Sequence, residues 1–182
     1  RAIGRLAFPI YSFLITCGYE HTHDRKKYGM NLLIFALISE IPWNLCHAGV
    51  PFYETQNVFF TLFLGYSAIC VYEKFRDDLK KQVIGLVLIF VVTVLMNSDY
   101  GTLGTATILA MYLLRENKPA QAFICGGMLE NSLSCLAAFI PINMYNGKRG
   151  FIQGKVFKYI FYIMYPAHMM ILWFIRVNTL GN

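Results

Sequence analysis

Long apolar stretches follow one another along this chain of 182 residues, with only short polar stretches between them. Charged residues make up 14% of the sequence, against about 25% in soluble domains. A membrane span needs roughly 17–25 residues and must satisfy its own backbone hydrogen bonds, so each stretch predicts a helix. The stretches are 3–19, 28–47, 57–72, 83–97, 101–114, 120–141 and 157–177. We expect one all-α, polytopic transmembrane bundle of about seven segments, with residues 1–182 as a single domain.

The lysines and arginines between the stretches alternate from one loop to the next. Loops 20–27, 73–82 and 115–119 carry them, whereas loops 48–56 and 98–100 carry none. Basic loops stay on the cytoplasmic side of a membrane, so the net charge of +6 is explained by topology and predicts no nucleic-acid partner. The lipid bilayer is the expected partner of the apolar surface.

One basic loop contradicts a simple count of crossings. Residues 142–156 contain Lys148, Arg149 and Lys155, yet they would lie outside the cytoplasm if every stretch crossed once. Either one stretch is re-entrant, or these charges bind a ligand. The sequence leaves both explanations open.

Two of the stretches contain a charged residue close to a proline. Arg5 lies four residues before Pro9, and Glu40 lies two residues before Pro42. A charge in the hydrocarbon core costs at least about 2.5 kcal/mol, so such residues usually face a polar interior and mark a site. A structural ion pair between Arg5 and Glu40 is the competing explanation. Glu130 in the sixth stretch is equally open to a functional role or to a hydrogen bond between helices.

Polar and small residues recur at helical spacing within several stretches and predict shared helix faces. These stripes are Arg5, Ser12 and Thr16; Glu40, Asn44 and His47; Asn57, Thr61, Gly65 and Ala68; Gly126, Gly127, Glu130 and Ser134; and Tyr165 with His168. Stripes of small residues are most simply packing surfaces between membrane helices. Stretch 101–114 is only about 21 Å long as a helix, so we expect Asp99 and Tyr100 to lie below the membrane surface.

Cysteines and histidines give no sign of a metal site. The five cysteines are unclustered, which predicts small packing residues; they are Cys17, Cys46, Cys70, Cys125 and Cys135. His21 and His23 beside a basic loop are a weak signal for metal binding, and we predict no metal.

Ordered motifs along nearly the whole chain resemble the TraX family. They are GRLAFPI at 4–10, FALISEIP at 35–42, NVFFTL at 57–62, DYG at 99–101, NGKRG at 146–150 and YPAH at 165–168. Two positions depart from the pattern of that family, because Cys17 stands where an acidic residue is expected and Asn31 where a basic one is expected.

The resemblance implies an integral protein of the bacterial inner membrane that acetylates the N-terminus of conjugative F-pilin. The family is similar to multi-span acyltransferases that include polysaccharide O-acetyltransferases and the lysosomal heparan-glucosaminide N-acetyltransferase. It therefore implies acetyl-CoA as the donor and a pilin-like protein as the acceptor. It also implies a further helix before Arg1 with an Asp-His pair, which would supply a base for the central step.

Acyl transfer needs a base for the acceptor, hydrogen-bond donors for the oxyanion and cations for the phosphates of CoA. We assign Arg5, Glu40, Asp99 and His168 to catalysis; Asn146, Lys148 and Arg149 to the donor; and Asn57, Tyr100, Glu130 and Tyr165 to the acceptor. The glycines that flank Lys148 and Arg149 allow a backbone to approach a ligand closely.

Three alternatives remain open at this point. The first is an O-acyltransferase that acts on a cell-envelope glycan, since nothing in the sequence chooses between an amine and a hydroxyl. The second is a small-solute or proton transporter with Arg5, Glu40 and Glu130 along its path, although such a protein would be expected to show an internal repeat and none is visible. The third is a non-catalytic assembly subunit.

Overall fold

A computed structural model describes residues 2–129, 133–147 and 155–180, with the side chains of all of these except 2–5, 133, 134, 155–158, 161 and 180. Eight helices and no strands make up its regular secondary structure, so the all-α prediction is confirmed for this part of the chain. The helices are α1 Ala2–His21, α2 Arg25–Ala48, α3 Val58–Lys74, α4 Leu79–Met96, α5 Gly101–Leu113, α6 Lys118–Met128, α7 Leu133–Met144 and α8 Lys155–Leu180.

Two helices of the described chain, α2 and α4, are long and apolar enough to cross a membrane by themselves. The expected seven spans are therefore not confirmed. Four of the others are shorter than either of these: α3, α5, α6 and α7 have 17, 13, 11 and 12 residues. A helix of 12 residues is only about 18 Å long, well short of a hydrocarbon core of about 30 Å.

The prediction of one continuous segment over 120–141 is wrong, because α6 and α7 are two antiparallel helices. The Lys118 ammonium at the start of α6 donates to the Asn143 carbonyl near the end of α7, at 2.9 Å. Further along, a methyl group on Gly126 would lie 2.6 Å from Leu136, so the helices are in close contact. The pair of glycines at 126 and 127, which weakens a helix, lies just before α6 ends at Met128.

Helix α3 forms the centre of the bundle and packs against α1, α2, α4 and α5. Its stripe of Asn57, Thr61, Gly65 and Ala68 is buried, and a methyl group on Gly65 would lie 2.5 Å from Ile108 in α5. The interpretation of this stripe as a packing surface is therefore confirmed. The prediction of cysteines as packing residues is confirmed for Cys125 and Cys135, which are buried. The remaining three cysteines are partly exposed.

Apolar side chains also cover much of the outside of the bundle. Helix α4 packs only one narrow side against its neighbours, and large side chains such as Leu95, 78% exposed, point outward from the rest. Helices α2 and α8 present a similar surface, with Leu37 and Phe174 as examples. An exposed apolar surface of this extent marks contact with a membrane or with other proteins.

The helices alternate in direction, which gives the bundle two different ends. Short connections join α1 to α2, α3 to α4 and α5 to α6 at one end, which we call the basic end because Lys and Arg begin the following helices. Segment 49–57 and the turn 97–100 lie at the opposite end. A parallel bridge between Gln56 and Ser98 joins these two connections.

Candidate functional site

The Glu40 carboxylate lies inside the bundle against the first residue of α3. The Asn57 side-chain amide donates to Glu40 Oε2 at 2.6 Å, and the Asn57 backbone N–H donates to the same oxygen at 3.3 Å. Asn57 is the N-cap of α3, so the carboxylate also lies at the positive end of that helix dipole. The partly buried Glu40 is thus held by an element that is 17 residues away in sequence.

The turn between α4 and α5 brings Asp99 to the same end of the bundle. Asn97 and Tyr100 have φ values of 46° and 62°, in the left-handed region that few residues other than glycine adopt. The Asp99 N–H donates to the Gln56 carbonyl at 2.9 Å, and the Thr61 hydroxyl of α3 donates to the Asp99 carbonyl. These bonds fix the backbone of the turn against the start of α3.

The Asp99 side chain is half-buried and interacts with its own turn. Its Oδ1 accepts a hydrogen bond from the Tyr100 N–H at 3.1 Å. Burial raises the pKa of the Asp99 carboxyl above its ordinary value, while the Tyr100 N–H and the nearby His47 oppose that rise. A carboxylate with a raised pKa is a stronger proton acceptor, which suits general-base chemistry.

Helix α8 contributes Tyr165 and His168 to this region. The Tyr165 ring packs edge-on against Phe59 of α3, with 5.2 Å between ring centroids, and His168 packs against Tyr165 at 5.3 Å. The Tyr165 hydroxyl is buried and has no hydrogen-bond partner among the described residues. The carboxylates of Asp99 and Glu40 both act on it electrostatically.

Two further contacts define what these side chains can do. The Val58 amide lies near the Tyr165 hydroxyl but makes no hydrogen bond with it. The Tyr165 O–H therefore remains available as a donor. The Nδ1 atom of His168 donates to the Met164 carbonyl at 3.0 Å, which leaves Nε2 as the acceptor of a neutral imidazole.

We call Glu40, Asn57, Asp99, Tyr100 and Tyr165 the Glu40 cluster.

Tyr100 connects this cluster to α1. Its ring stacks on Phe8, with centroids 3.9 Å apart and planes 9° from parallel. Arg5 lies three residues before Phe8 on α1, so its backbone is about one turn away from this contact. The Arg5 side chain lies outside the described part of the structure, and so do all atoms of Glu130, Lys148 and Arg149.

The predicted stripe of Glu40, Asn44 and His47 does not act as a unit. The Asn44 amide donates to the Pro51 carbonyl at 2.9 Å, and His47 Nδ1 donates to the Trp43 carbonyl at 3.1 Å. Helical spacing placed these residues along one helix but could not identify their partners, which differ from residue to residue.

Arg176 is absent from the predicted site although it reaches the same end of the bundle. Its guanidinium donates to the Cys46 carbonyl at 3.0 Å and the His47 carbonyl at 3.4 Å, at the C-terminus of α2. Trp43 is absent too, and its indole N–H donates to the Thr55 carbonyl at 2.9 Å. A signal for Arg176 was available, because a charge inside an apolar stretch is costly.

A cavity of about 320 Å³ opens at the basic end. Its walls come from the last turns of α1, the connection between α5 and α6, and the end of α7; they include Thr16, Cys17, Glu20, His21, Arg115, Lys118, Gln121, Tyr145 and Gly147. Asn146, which was predicted to bind the donor, lies between the last two of these, at the opposite end of the bundle from the Glu40 cluster. Lys148 and Arg149 follow Gly147 directly in sequence.

The cations of this cavity already have partners. Arg115 is paired with Glu20 at 2.9 Å and donates to the Tyr112 carbonyl at 2.8 Å. The Lys118 ammonium donates to the Asn143 carbonyl at 2.9 Å and the Tyr145 carbonyl at 3.4 Å. Both cations thus neutralise helix C-termini, where a positive charge is favourable.

Comparisons with known proteins give a family and one relative. A sequence profile of the family described as "TraX protein" matches residues 1–176. A relative from Dichelobacter nodosus, described as "Probable fimbrial assembly protein FimC, serogroup H1", is 25% identical over 202 aligned positions, which cover 94% of this chain and 80% of the relative. No solved structure matches the chain.

Proposed function

Because this chain belongs to the TraX family, we propose that it is an integral membrane enzyme that transfers an acetyl group from acetyl-CoA to an amine. The acceptor we propose is the N-terminus of a pilin-like protein. The relative named as a fimbrial assembly protein supports a pilin-related role. The observation that carries the chemistry is the buried, unpartnered Tyr165 hydroxyl, whose ring packs on Phe59, two residues after the Asn57 that holds the Glu40 carboxylate.

The exposed apolar surface supports a place in the bilayer. Side chains such as Leu37 of α2, Leu95 of α4 and Phe174 of α8 would be costly in water, and hydrocarbon covers them without cost. The bacterial inner membrane is the location that fits a cytoplasmic acetyl-CoA donor. The basic end then faces the cytoplasm, in agreement with the positive-inside rule.

The α6–α7 hairpin removes the contradiction in the count of crossings. Helices of 11 and 12 residues that run antiparallel return the chain to the basic end without crossing the bilayer. The end of α7 then lies on the same side as loop 115–119, since Lys118 donates to the carbonyls of Asn143 and Tyr145. Irregular backbone inside a membrane is tolerated where protein buries it, and α6 packs on α5 while α7 packs on α1.

The carboxylates of the cluster favour an amine over a hydroxyl as the acceptor. A free α-amino group has a pKa near 8 and arrives as a cation, which two nearby carboxylates attract. A sugar hydroxyl would gain nothing from this field. The charge of Glu40 and Asp99 therefore supports an amine substrate.

The reaction then proceeds with its protons accounted for. A carboxylate of the cluster, or Nε2 of His168, takes a proton from the ammonium group, and the amine attacks the thioester carbonyl carbon. The carbon–nitrogen bond forms, and the nitrogen of the tetrahedral intermediate then gives up its second proton, which passes to the sulfur. The carbon–sulfur bond breaks, the carbonyl re-forms, and CoA leaves as the thiol. The Tyr165 hydroxyl, together with Arg5, stabilises the negative oxygen of the intermediate. A base that precedes Arg1 would share this work.

The donor binds from the basic end in this proposal. Lys148 and Arg149, which follow the cavity-lining Gly147 in sequence, hold phosphates of CoA in this proposal. One face of α1 leads from there toward the cluster, because Thr16 lines the cavity, Ser12 has a buried hydroxyl without a described partner, and Phe8 contacts Tyr100. The rise from Thr16 to Phe8 is about 12 Å, which an extended arm of CoA can bridge.

Acetyl transfer by the full chain in lipid membranes tests the proposal. We expect transfer from acetyl-CoA to a peptide with a free N-terminus and none to the same peptide with a blocked N-terminus. Glu40→Gln and Arg5→Ala should each reduce turnover after folded expression is verified. Undiminished turnover in both variants would remove the proposed site.

Two other outcomes would contradict the function itself. Transfer to an oligosaccharide in preference to the free peptide would establish a glycan O-acyltransferase. Solute flux in liposomes that contain no acyl donor, without thermal stabilisation by acetyl-CoA, would establish a transporter.

A further inference from the structure

Asn57 was predicted to bind the acceptor, but no polar atom of its side chain is free to do so. One hydrogen of Nδ2 is donated to the Ala36 carbonyl at 2.8 Å and the other to Glu40 Oε2 at 2.6 Å. The side-chain oxygen accepts from the Phe59 N–H at 3.0 Å. Asn57 is 0% exposed, so a substrate cannot reach it without breaking these bonds.

We propose that Asn57 is a positioning residue that fixes the Glu40 carboxylate for proton transfer, and that it does not contact the acceptor. This inference rests on the proposed function. Two N–H groups of Asn57 hold Oε2, whereas Oε1 accepts no hydrogen bond from the described residues. One oxygen of the carboxylate is thus anchored and the other is left for the ammonium group of the substrate.

The same residue also begins α3, so its two roles must be separated. An Asn→Asp change keeps the shape and the oxygen that caps the Phe59 N–H, because Asp and Asn are equally good N-caps. The change removes the NH₂ group, with its bonds to Glu40 and to the Ala36 carbonyl, and places a second carboxylate against Glu40. Like charges at this distance cannot both ionise easily, so the pair holds a proton to higher pH.

Asn57→Asp in the full chain in membranes is the central variant. We expect kcat for acetyl transfer to fall about 100-fold, with a KM for the acceptor peptide that changes less than about threefold. The acidic limb of the pH profile of kcat/KM should move upward by about one unit or more. Asp78→Asn is the control, because Asp78 caps the Lys81 N–H of α4 at the other end of the bundle and does not line the cavity. It should leave all three quantities unchanged.

The double variant Glu40→Gln/Asn57→Asp separates the hydrogen bond between positions 40 and 57 from proton transfer by the Glu40 carboxylate. An amide at position 40 and a carboxylate at position 57 restore a hydrogen bond with the opposite polarity. We expect the melting temperature of the double variant to recover relative to Asn57→Asp, while turnover stays at the level of Glu40→Gln alone.

Each other result overturns the inference. A raised acceptor KM with unchanged kcat would make Asn57 a binding residue, and equal losses in Asn57→Asp and Asp78→Asn would make it a helix cap only. Wild-type turnover in Asn57→Asp would refute the positioning role while the proposed function stands. Absence of transfer by the wild-type chain would refute the proposed function, and the positioning role with it.

Discussion

The two ends of the bundle treat their polar side chains in opposite ways. At the basic end Arg115 and Lys118 donate to the carbonyls that end α5 and α7, and Arg115 also pairs with Glu20. In the Glu40 cluster the Tyr165 hydroxyl is buried without a partner. The basic end therefore uses its charges to complete helices, whereas the cluster retains a polar group that nothing in the described structure satisfies.

This difference indicates where the bundle gives up stability in favour of function. A buried polar group without a partner costs about 1–3 kcal/mol, and close packing alone would have favoured an apolar residue there. The Asn44 side-chain oxygen, at the same end, is also buried without a described partner. A polar group without a described partner, at the end of the bundle that holds the carboxylates of Glu40 and Asp99, is typical of a site where a substrate supplies the missing bonds.

The largest expected effect concerns which side of the membrane each end faces. In a variant without the native cysteines, single cysteines at Glu116 and Asn146 should react with an impermeant maleimide from the cytoplasmic side only. A single cysteine at Phe52, which is 86% exposed in segment 49–57, should react from the opposite side only. Labelling of positions 146 and 52 from the same side would refute the re-entrant α6–α7 hairpin and the placement of the two ends on opposite sides of the membrane.

The next effect tests the cluster as the seat of the chemistry. Glu40→Gln keeps the shape of the side chain but removes the proton acceptor, so turnover should fall about 100-fold or more. The matched control is Glu54→Gln, since Glu54 is an exposed carboxylate at the same end. The measurement is acetyl transfer under saturating donor. Equal losses in both variants would show that negative charge at this end acts only at long range.

A smaller effect is expected for the donor at the basic end. The pair Lys148→Ala/Arg149→Ala removes two charge-assisted hydrogen bonds to phosphate, so the Kd of acetyl-CoA should rise about 30-fold, which corresponds to about 2 kcal/mol. The control pair Lys80→Ala/Lys81→Ala removes two cations from another basic connection. Titration calorimetry in nanodiscs measures both. An equal rise in the control would reduce the donor site to a general field of positive charge.

Much of the fold was predictable because hydropathy reports burial in lipid or protein. Stretch 57–72 became α3 at Val58–Lys74, and stretch 101–114 became α5 at Gly101–Leu113. The division of 120–141 into two helices was not predicted, because residues on both sides of a break in a buried hairpin are equally apolar. The sequence predicts a packing stripe at the glycines 126 and 127. The structure shows in addition that they lie at the end of α6, where Gly126 contacts Leu136 of α7.

The candidate site was predictable to the extent that charge is conspicuous in apolar sequence. Glu40 and Asp99 are predicted for that reason, and the structure brings both to the start of α3, where Asn57 holds Glu40 and Gln56 and Thr61 hold the backbone of Asp99. The bond between Glu40 and Asn57 was not predictable, since it depends on how α2 packs on α3 and not on any local pattern. The charge of Arg176 gives the same signal, but its bonds to the carbonyls that end α2 depend on how α8 packs on α2 and not on any local pattern.

The smallest expected effects come from two tyrosine hydroxyls. Loss of one should lower stability without changing turnover, and loss of the other should lower turnover without changing stability. The Tyr112 hydroxyl, near the basic end, donates to Glu73 at 2.9 Å, and neither residue lines the cavity. Tyr112→Phe should therefore lower the melting temperature by about 2–4 °C, as expected for about 1 kcal/mol in a chain of this size, and leave turnover unchanged.

Tyr165→Phe removes a hydroxyl that has no described partner, so the melting temperature should not fall. Turnover should drop several-fold, because a donor to the oxyanion is lost. Thermal unfolding and acetyl transfer, both measured on each variant, give four values with opposite expected patterns. If Tyr165→Phe were destabilising and fully active, its hydroxyl would be a structural group like that of Tyr112, and the contrast between the two ends would no longer identify a site.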